Sequence, residues 1–216
     1  MSGALRYARF NFFRRMMGPF SKKTRQRRMA QLEALLNLRS GMKILDLGGQ
    51  PDIWDFVTEP LDITILNLPG IALEPPANSI HQFEFMEGDA CNVTAYDDKS
   101  FDAVFSNSVI EHVGDESKQR AFANEVRRLS EKYWVQTPSI WFPIEAHTGM
   151  PFWFLIPSSI RARYISSWGK KLPDWTEMVK GTTVLSKRQM RDYFPASTFI
   201  VERKFYIPKS YIAYKA

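Results

Sequence analysis

The sequence has few of the residues that form covalent cross-links and metal sites. Its 216 residues include one cysteine, Cys91, and three histidines. A lone cysteine excludes an internal disulfide and a cysteine-based zinc cluster, and three histidines leave little material for a histidine metal site. We therefore expect no bound metal and a reducing compartment, the cytoplasm.

Long apolar runs are also missing from the chain. None approaches the roughly 18 residues that a membrane-spanning helix needs, and the N-terminus lacks the uninterrupted apolar segment of a secretion signal. The composition, 44% hydrophobic and 24% charged, is that of an ordinary globular protein. The sequence thus predicts a soluble chain, and its length predicts one domain with an additional arm.

Acidic residues are scarce near the N-terminus. The net charge is +6, but residues 1–40 contain ten Lys and Arg against the single acid Glu33, so this stretch carries +9 and the remainder −3. We interpret 1–40 as a basic helical arm or lid. Three roles stay open for it: a solvated face or lid, contact with an anionic membrane or nucleic acid through residues 1–28, and a transit peptide.

Short apolar runs alternate with helical patterns along the chain. The patterns predict five strands at 43–47, 63–66, 81–86, 101–106 and 133–136, with helices at 24–38, 53–57, 115–129 and, N-capped by Ser186, 186–194. Two more strands, at 198–205 and 210–214, are joined by a short turn at 207–209 and must be antiparallel. The sequence therefore predicts an α/β fold, a doubly wound seven-stranded sheet that is mostly parallel with an antiparallel last strand and is Rossmann-like.

The stretch from about 138 to 185 interrupts this alternation with prolines and most of the tryptophans. We interpret it as an insert within a main domain at 41–216. Its apolar run at 150–156 fits either a core that caps the sheet, a hydrophobic wall for an acceptor, or a patch that meets a membrane or partner.

Four motifs in order along the chain carry a family resemblance: ILDLGG at 44–49, TILNLPG at 64–70, FMEGDA at 85–90 and SFDAVFSNSVIEHV at 100–113. Together they resemble the class I S-adenosylmethionine-dependent methyltransferases of the type 11 kind. The resemblance implies a methyltransferase with S-adenosylmethionine as its cofactor. It also implies a small-molecule or sugar/glycan-type acceptor, for which we expect O-methylation.

The resemblance also implies roles for residues at the ends of the predicted strands. In the family, the acid of the first strand orients the methionine end of the cofactor and the glycines form the cofactor floor. The last residue of the second strand holds the ribose, and the later positions hold the adenine and line the transferred methyl. For the first position, an acid that only braces its own loop is the alternative. The corresponding cofactor-binding positions here are Asp46, Gly48, Gly49, Asn67, Asp89, Ala90, Asn107 and Ser108. Asn67 stands where the family has an acid, so its hydrogen bond to the ribose lacks the charge that strengthens such bonds.

Acid–base help for an oxygen acceptor would come from a group that titrates near neutral pH. His112 and His147 are the candidate catalytic bases, although His112 would equally serve as a structural histidine that closes its turn. Glu111, Glu145 and Arg161 are candidate acceptor contacts. We expect His81 to be exposed at the start of a strand, and Cys91 to be a small buried filler.

One motif departs from the family pattern, in which the loop reads D-x-G-x-G-x-G. Gln50 and Asp52 replace the second and third glycines here, and their side chains would crowd a cofactor. This departure motivates a different hypothesis, a degenerate methyltransferase-fold protein that uses its basic arm to bind nucleic acid or an anionic membrane. A nucleic-acid methyltransferase is less favoured, because neither D-P-P-Y nor N-P-P-Y occurs at 107–110.

Overall fold

The computed structural model describes residues 22–142, 156–169 and 181–216. Within them, seven strands form one sheet. The strands are β1 (Lys43–Leu47), β2 (Asp62–Asn67), β3 (Gln82–Glu87), β4 (Ala103–Asn107), β5 (Tyr133–Pro138), β6 (Thr198–Lys204) and β7 (Ile207–Lys215).

The strand order across the sheet is β3-β2-β1-β4-β5-β7-β6. Strands β1 to β5 are parallel, whereas β7 runs antiparallel to both β5 and β6. The predicted seven-stranded sheet with its antiparallel last strand is confirmed. Because the chain winds outward in both directions from β1, the crevice at the carboxyl ends of β1 and β4 is the place where open α/β sheets bind ligands.

The helices lie on both faces of this sheet. They are α1 (22–36), a 3₁₀ helix (Pro51–Phe56), α2 (Glu116–Leu129), α3 (Ser158–Gly169) and α4 (Lys187–Tyr193). Ser186 caps α4 as predicted, because its hydroxyl accepts from the Gln189 amide while the Gln189 side chain accepts from the Ser186 amide. The helix predicted at 53–57 is the 3₁₀ helix, which Pro51 begins.

Helix α1 packs into the core of the sheet domain. Met29, Leu32 and Leu36 are at most 1% exposed and belong to one apolar cluster with Trp54 and Trp134. A second cluster fills the other face, between the sheet and helices α2 and α4. From residue 22 onward, therefore, the predicted basic arm forms part of the main core, and residues 1–21 lie outside the described residues.

The hairpin that closes the sheet turns earlier than predicted. The prediction of a turn at 207–209 is wrong, because the turn residues are Phe205 and Tyr206, and Pro208 lies within β7. Pro208 pairs with Arg203 next to a register irregularity and beyond the last residue of β5. A strand tolerates proline at such a place, where its missing N–H removes no regular ladder bond.

His81 is a core residue, and the prediction that it is exposed is wrong. Its side chain lies between the 3₁₀ helix and the start of β2, and the residue is 7% exposed. Its Nδ1 accepts from the Leu61 amide at 3.2 Å, so the proton is assigned to Nε2, which donates to the Trp54 carbonyl at 2.9 Å. Both ring nitrogens are thereby satisfied in the interior.

The predicted insert at 138–185 is described only in part. The stretches 143–155 and 170–180, which include most of the apolar run at 150–156, lie outside the described residues. Trp141, just past β5, is 58% exposed. In the part of the chain that the structure describes, no helix combines the length and apolar character needed to cross a membrane.

Candidate active site

A cavity of about 340 Å³ opens at the carboxyl ends of β1, β2 and β4 and beside the loop after β3. Its volume lies in the range of pockets that hold small molecules and cofactors. The lining residues are Gly48, Leu66, Asn67, Leu68, Ile71, Gly88, Asp89, Ala90, Ser108, Val109, His112 and Val113. Six of the thirteen sequence-predicted site residues therefore meet in one place: Gly48, Asn67, Asp89, Ala90, Ser108 and His112.

The two glycines after β1 are required by their protein neighbours. Gly48 has a φ of +74°, and a Cβ added there would lie 2.7 Å from a Val109 methyl group. A Cβ added to Gly49 would lie 1.9 Å from Oδ2 of Asp46. The turn is thus closed over the Asp46 carboxylate and under Val109, which keeps the cavity floor free of side chains.

Asp46 lies beneath this turn and does not line the cavity. The residue is fully buried, and Trp54 Nε1 donates to its Oδ2 at 2.9 Å. Its Oδ1 has no hydrogen-bond partner among the described residues. Burial raises the pKa of Asp46 to about 7, against the opposing effect of the Trp54 hydrogen bond. The Asp46 side chain thus lies against Gly49 and Trp54, and both roles expected for it stay predictions.

Gln50 and Asp52, which replace two family glycines, leave the cavity open. Gln50 adopts an extended conformation with a φ of −129°, which any L-residue accepts. The Asp52 side chain is 64% exposed and lies 3.4 Å from Arg25 Nη1 on helix α1. Neither residue lines the cavity, because the chain turns away into the 3₁₀ helix immediately after Gly49.

Asn67 ties the end of β2 to the glycine turn. Its Nδ2 donates to the Gly49 carbonyl at 2.9 Å, and the Gly48 amide donates to the Leu66 carbonyl at 2.8 Å. The Asn67 Oδ1 has no hydrogen bond within the described residues. This oxygen therefore remains an acceptor at the cavity wall, in the place where the family resemblance puts the ribose.

Asp89 presents an ionised carboxylate on the opposite wall. Its Oδ1 accepts from the Cys91 amide at 2.8 Å and its Oδ2 lies 3.1 Å from Lys118 Nζ. The Cys91 amide, aided by Lys118, lowers the pKa of Asp89. Burial and the Asp89 charge raise the pKa of the Cys91 thiol to about 11, so this thiol is an inert filler as predicted.

Asn107 and Ser108, the two polar residues at the end of β4, have different surroundings. Ser108, with a φ of +59°, lines the cavity, and its hydroxyl donates to Gln136 Oε1 at 2.9 Å. Asn107 does not line the cavity, because its Oδ1 accepts from Arg28. Of the two, only Ser108 is placed to contact a molecule in the cavity.

Arg28 is a buried residue beside the site that the sequence did not single out. It is 5% exposed, and its Nε and Nη2 donate to the two oxygens of Glu202 at 3.0 and 2.5 Å. Its Nη1 donates to Asn107 and, at 3.3 Å, to Gln136, the partner of Ser108. Burial alone would raise the pKa of Glu202, but the Arg28 hydrogen bonds and charge outweigh it and hold this pKa below its ordinary value.

His112 lines the cavity and Glu111 does not. The His112 side chain is 28% exposed, and its Nδ1 lies 3.1 Å from Thr182 Oγ1. Glu111 is fully buried, where its Oε2 accepts from Thr137 at 3.0 Å and its carbonyl accepts from the Thr183 amide at 2.6 Å. Glu111 thus fastens the segment after 181 to the end of β4, and that segment holds the His112 ring.

Three further predicted site residues remain. The candidate base His147 and the candidate acceptor contact Glu145 lie outside the described residues. Arg161 belongs to α3 and does not line the cavity.

Comparisons with known proteins agree with this architecture. Residues 69–132 match the family model described as a methyltransferase domain. This stretch contains two of the four motifs, at 85–90 and 100–113, and the strand order is that of the fold which the motifs predicted. The match covers 64 of the 216 residues, and together with the strand order it shows the class I methyltransferase fold.

Solved structures of methyltransferases share the fold of this chain. A putative methyltransferase from an antibiotic biosynthesis pathway of Anabaena variabilis is 18% identical with a TM-score of 0.52, over 82% of this chain and 64% of that one. Phosphoethanolamine N-methyltransferase 2 of Haemonchus contortus, in complex with S-adenosyl-L-methionine, is 16% identical with a TM-score of 0.52, over 80% of this chain and 37% of that one. This chain therefore spans less than two thirds of either protein.

A third structure matches over nearly its whole length. The complex between the Haloferax volcanii Trm112 methyltransferase activator and the putative methyltransferase gives 13% identity and a TM-score of 0.51, over 96% of this chain and 93% of that one. A search of curated proteins found no match. At these identities the structural likenesses establish the fold. The roles of individual site residues, the boundary of the arm and the cytoplasmic location stay predictions.

Proposed function

We propose that this chain is a class I methyltransferase that transfers a methyl group from S-adenosylmethionine to the hydroxyl group of a small-molecule or sugar-type acceptor. One observation carries the proposal: the cavity lies at the point where the strand order reverses, with Asn67, Asp89, Ala90 and Ser108 converging on it. In open α/β sheets this is the place where ligands bind.

The lining suits the nucleoside part of the cofactor. Asn67 Oδ1 accepts from a ribose hydroxyl, and the ionised Asp89 accepts from the adenine amine, beside the backbone of Ala90. Leu66 and Ile71 offer apolar surface to the faces of the base. The turn at Gly48 leaves the floor without side chains, so the donor and acceptor set present here fits the cofactor.

The protein's own contribution is mainly positioning. The bound cofactor supplies an electrophilic methyl group, and alignment of this group with the acceptor accounts for much of the rate of an in-line displacement. The cavity walls are held by hydrogen bonds between strand ends, including Gly48 to Leu66 and Ser108 to Gln136. Walls fixed in this way keep the reacting groups aligned without reorganisation.

His112 is the residue proposed to take the acceptor proton. It lies in the cavity wall, and the contact between its Nδ1 and Thr182 orients the ring. Imidazole side chains as a class suit proton transfer at neutral pH. The corresponding role for His147 rests on the sequence alone.

The alternative of a degenerate binding protein has less support. Its premise was crowding by Gln50 and Asp52, and neither side chain enters the cavity. In addition, Arg25 and Arg28, two cations of the stretch proposed to bind nucleic acid or membrane, are paired with Asp52 and Glu202.

Calorimetry with S-adenosylhomocysteine tests the cofactor site. We expect micromolar binding that Asp89→Ala weakens about 10- to 150-fold, because a hydrogen bond to a charged group contributes roughly 1.5–3 kcal/mol. Asp98→Ala is the matched control, since Asp98 is 75% exposed, pairs with Arg128 and precedes the amino end of β4. Absence of binding by the unmodified chain would reject the proposal.

Product analysis tests the acceptor. A cell extract incubated with methyl-labelled S-adenosylmethionine should yield a labelled methyl ether on a small or sugar-type molecule, and His112→Gln should reduce its formation. Label recovered on nitrogen, on nucleic acid or on protein would overturn the proposed acceptor class and leave the cofactor site standing.

A further inference from the structure

The large apolar side chains that remain exposed are concentrated at one edge of the sheet. Among the described residues, ten such side chains are more than a third exposed, and six of them lie just past the carboxyl ends of strands or form the tip of the β6–β7 hairpin: Leu68, Ile71, Trp141, Phe205, Tyr206 and Ile207. Because β7 runs antiparallel to β5, the hairpin tip lies at the same edge as the cavity.

The hairpin tip, residues 203–209, projects beyond its neighbours. The pairing of β5 with β7 ends at Pro138 and Ser210, so the tip extends past the end of β5. At its apex Phe205 is 83% and Tyr206 is 94% exposed. The two have φ values of +50° and +66°, a conformation that two-residue hairpin turns normally assign to Asn-Gly. Two aromatic rings thus lie in solvent at positions whose backbone conformation disfavours aromatic residues.

The tip is also positively charged. Residues 203–209 include Arg203, Lys204 and Lys209 and no acid, and the adjacent Glu202 is paired with Arg28. The Lys209 carbonyl accepts from the Ser139 amide, which joins the base of the tip to the segment that bears Trp141. Aromatic rings flanked by cations are the residues that favour the headgroup region of anionic membranes.

We propose that the hairpin tip at 203–209, with Trp141 beside it, docks the carboxyl edge of the sheet onto an anionic lipid membrane. A convex tip with two residues at its apex favours this occupant over a protein, since a stable protein interface buries roughly 800 Å² on each partner. It also favours lipid over single-stranded nucleic acid, which binds along charged grooves. The docked edge bears the mouth of the cavity, so an acceptor held in the membrane would be within reach, a consequence that rests on the proposed function.

A fluorophore placed at the tip tests the docking directly. Cys91 is the only cysteine, so a Cys91→Ala background allows Tyr206→Cys to be labelled with an environment-sensitive nitrobenzoxadiazole dye. Vesicles of phosphatidylcholine with phosphatidylglycerol should shift its emission to the blue, and added salt should reverse the shift because charge screening weakens the attraction. Ile80→Cys is the matched control, because Ile80 is 54% exposed and precedes the amino end of β3, at the opposite edge. Its label should not respond.

A second variant keeps the turn and removes the rings. Phe205→Asn with Tyr206→Gly supplies the residues that this turn prefers, so the hairpin should fold. In a flotation assay, we expect less of this double variant than of the unmodified chain to bind the vesicles. Vesicle binding with no response at position 206, or a response to single-stranded RNA and none to vesicles, would overturn the proposal. Titration of the same variants with S-adenosylhomocysteine reports on the cofactor site separately, so failure of one proposal is distinguishable from failure of the other.

Discussion

Asp46 is fully buried, and within the described residues its carboxyl group accepts one hydrogen bond, from Trp54. Its pKa is raised from 3.8 to about 7, chiefly by desolvation. Between those values the folded chain retains a proton that the unfolded chain has released. The contribution of Asp46 to the free energy of unfolding therefore falls as the pH rises from 3.8 to about 7. Above that pH this contribution stays constant.

Asp46→Asn should remove this pH dependence. Asparagine retains an oxygen that accepts from Trp54 Nε1 and carries no charge, so the stability difference between variant and unmodified chain should grow by up to about 4 kcal/mol from pH 4 to pH 7. Urea titrations across that range measure it. Asp55→Asn, an exposed position on the same 3₁₀ helix, is the control. Parallel stability curves for Asp46→Asn and the unmodified chain would contradict the assignment of a buried, titrating carboxylate.

At the residue scale, the sequence could identify the residues at the carboxyl end of each strand but not the distant residues that pack beside them. Gly48, Asn67, Asp89 and Ser108 were predictable because strand ends in a parallel sheet converge at one edge. Arg28 was not, because its partner Glu202 is 174 residues away and nothing local distinguishes it from its basic neighbours. A pair so distant in sequence emerges only once the fold brings α1 against β6.

One buried ion pair, between Arg28 and Glu202, joins helix α1 to β6 in addition to the apolar face of the helix. The Arg28 and Glu202 side chains are 6% and 14% exposed, so removal of one partner leaves a buried charge. Arg28→Met should cost about 3–5 kcal/mol, and Glu202→Gln in the same chain should recover most of it. Arg25→Met on the same helix should cost less than about 1 kcal/mol, because its contact with Asp52 is exposed.

Urea unfolding of the single and double variants measures this coupling. We expect a strong coupling between positions 28 and 202 in the free energy of unfolding. We expect none between positions 28 and 52. Equal costs for Arg28→Met and Arg25→Met would mean that α1 is held by its apolar face alone. In that case the contacts of Arg28 with Asn107 and Gln136 would contribute nothing measurable to the stability of the site.

At the element scale, strands and the N-cap of α4 followed from local patterns, whereas two details did not. The stretch 53–57 has helical spacing, and it forms a 3₁₀ helix that begins at Pro51. Ile207 and Pro208 looked like a turn, yet both pair with β6 beyond the register irregularity between Glu202 and Arg203. Spacing alone does not distinguish these outcomes.

The order of the strands follows from rules that act on the whole molecule. Parallel strands joined by helices must cross over in one hand, so five alternating units allow few arrangements, and the short connection before β7 forces it to be antiparallel. The orientation of a charged helix against this sheet obeys no such rule. The topology of the sheet was therefore predictable from the sequence. The position of α1 against the sheet was not.

Because the cavity is built from strand ends and loops that belong to both halves of the sheet, its ligand should stabilise the domain as a unit. Cys91 can report on this. The residue is 9% exposed and burial raises the pKa of its thiol to about 11, so we expect the thiol to react when the structure opens. With S-adenosylhomocysteine at 100 times its dissociation constant, modification of Cys91 should slow about 100-fold when closing outpaces reaction, because the ligand binds only the closed state. In Asp89→Ala, whose affinity is expected to be lower, the same ligand concentration should slow it far less. Equal reaction rates with and without ligand, in a chain that binds the ligand by calorimetry, would mean that the loop of Cys91 opens without disturbing the cavity beside it.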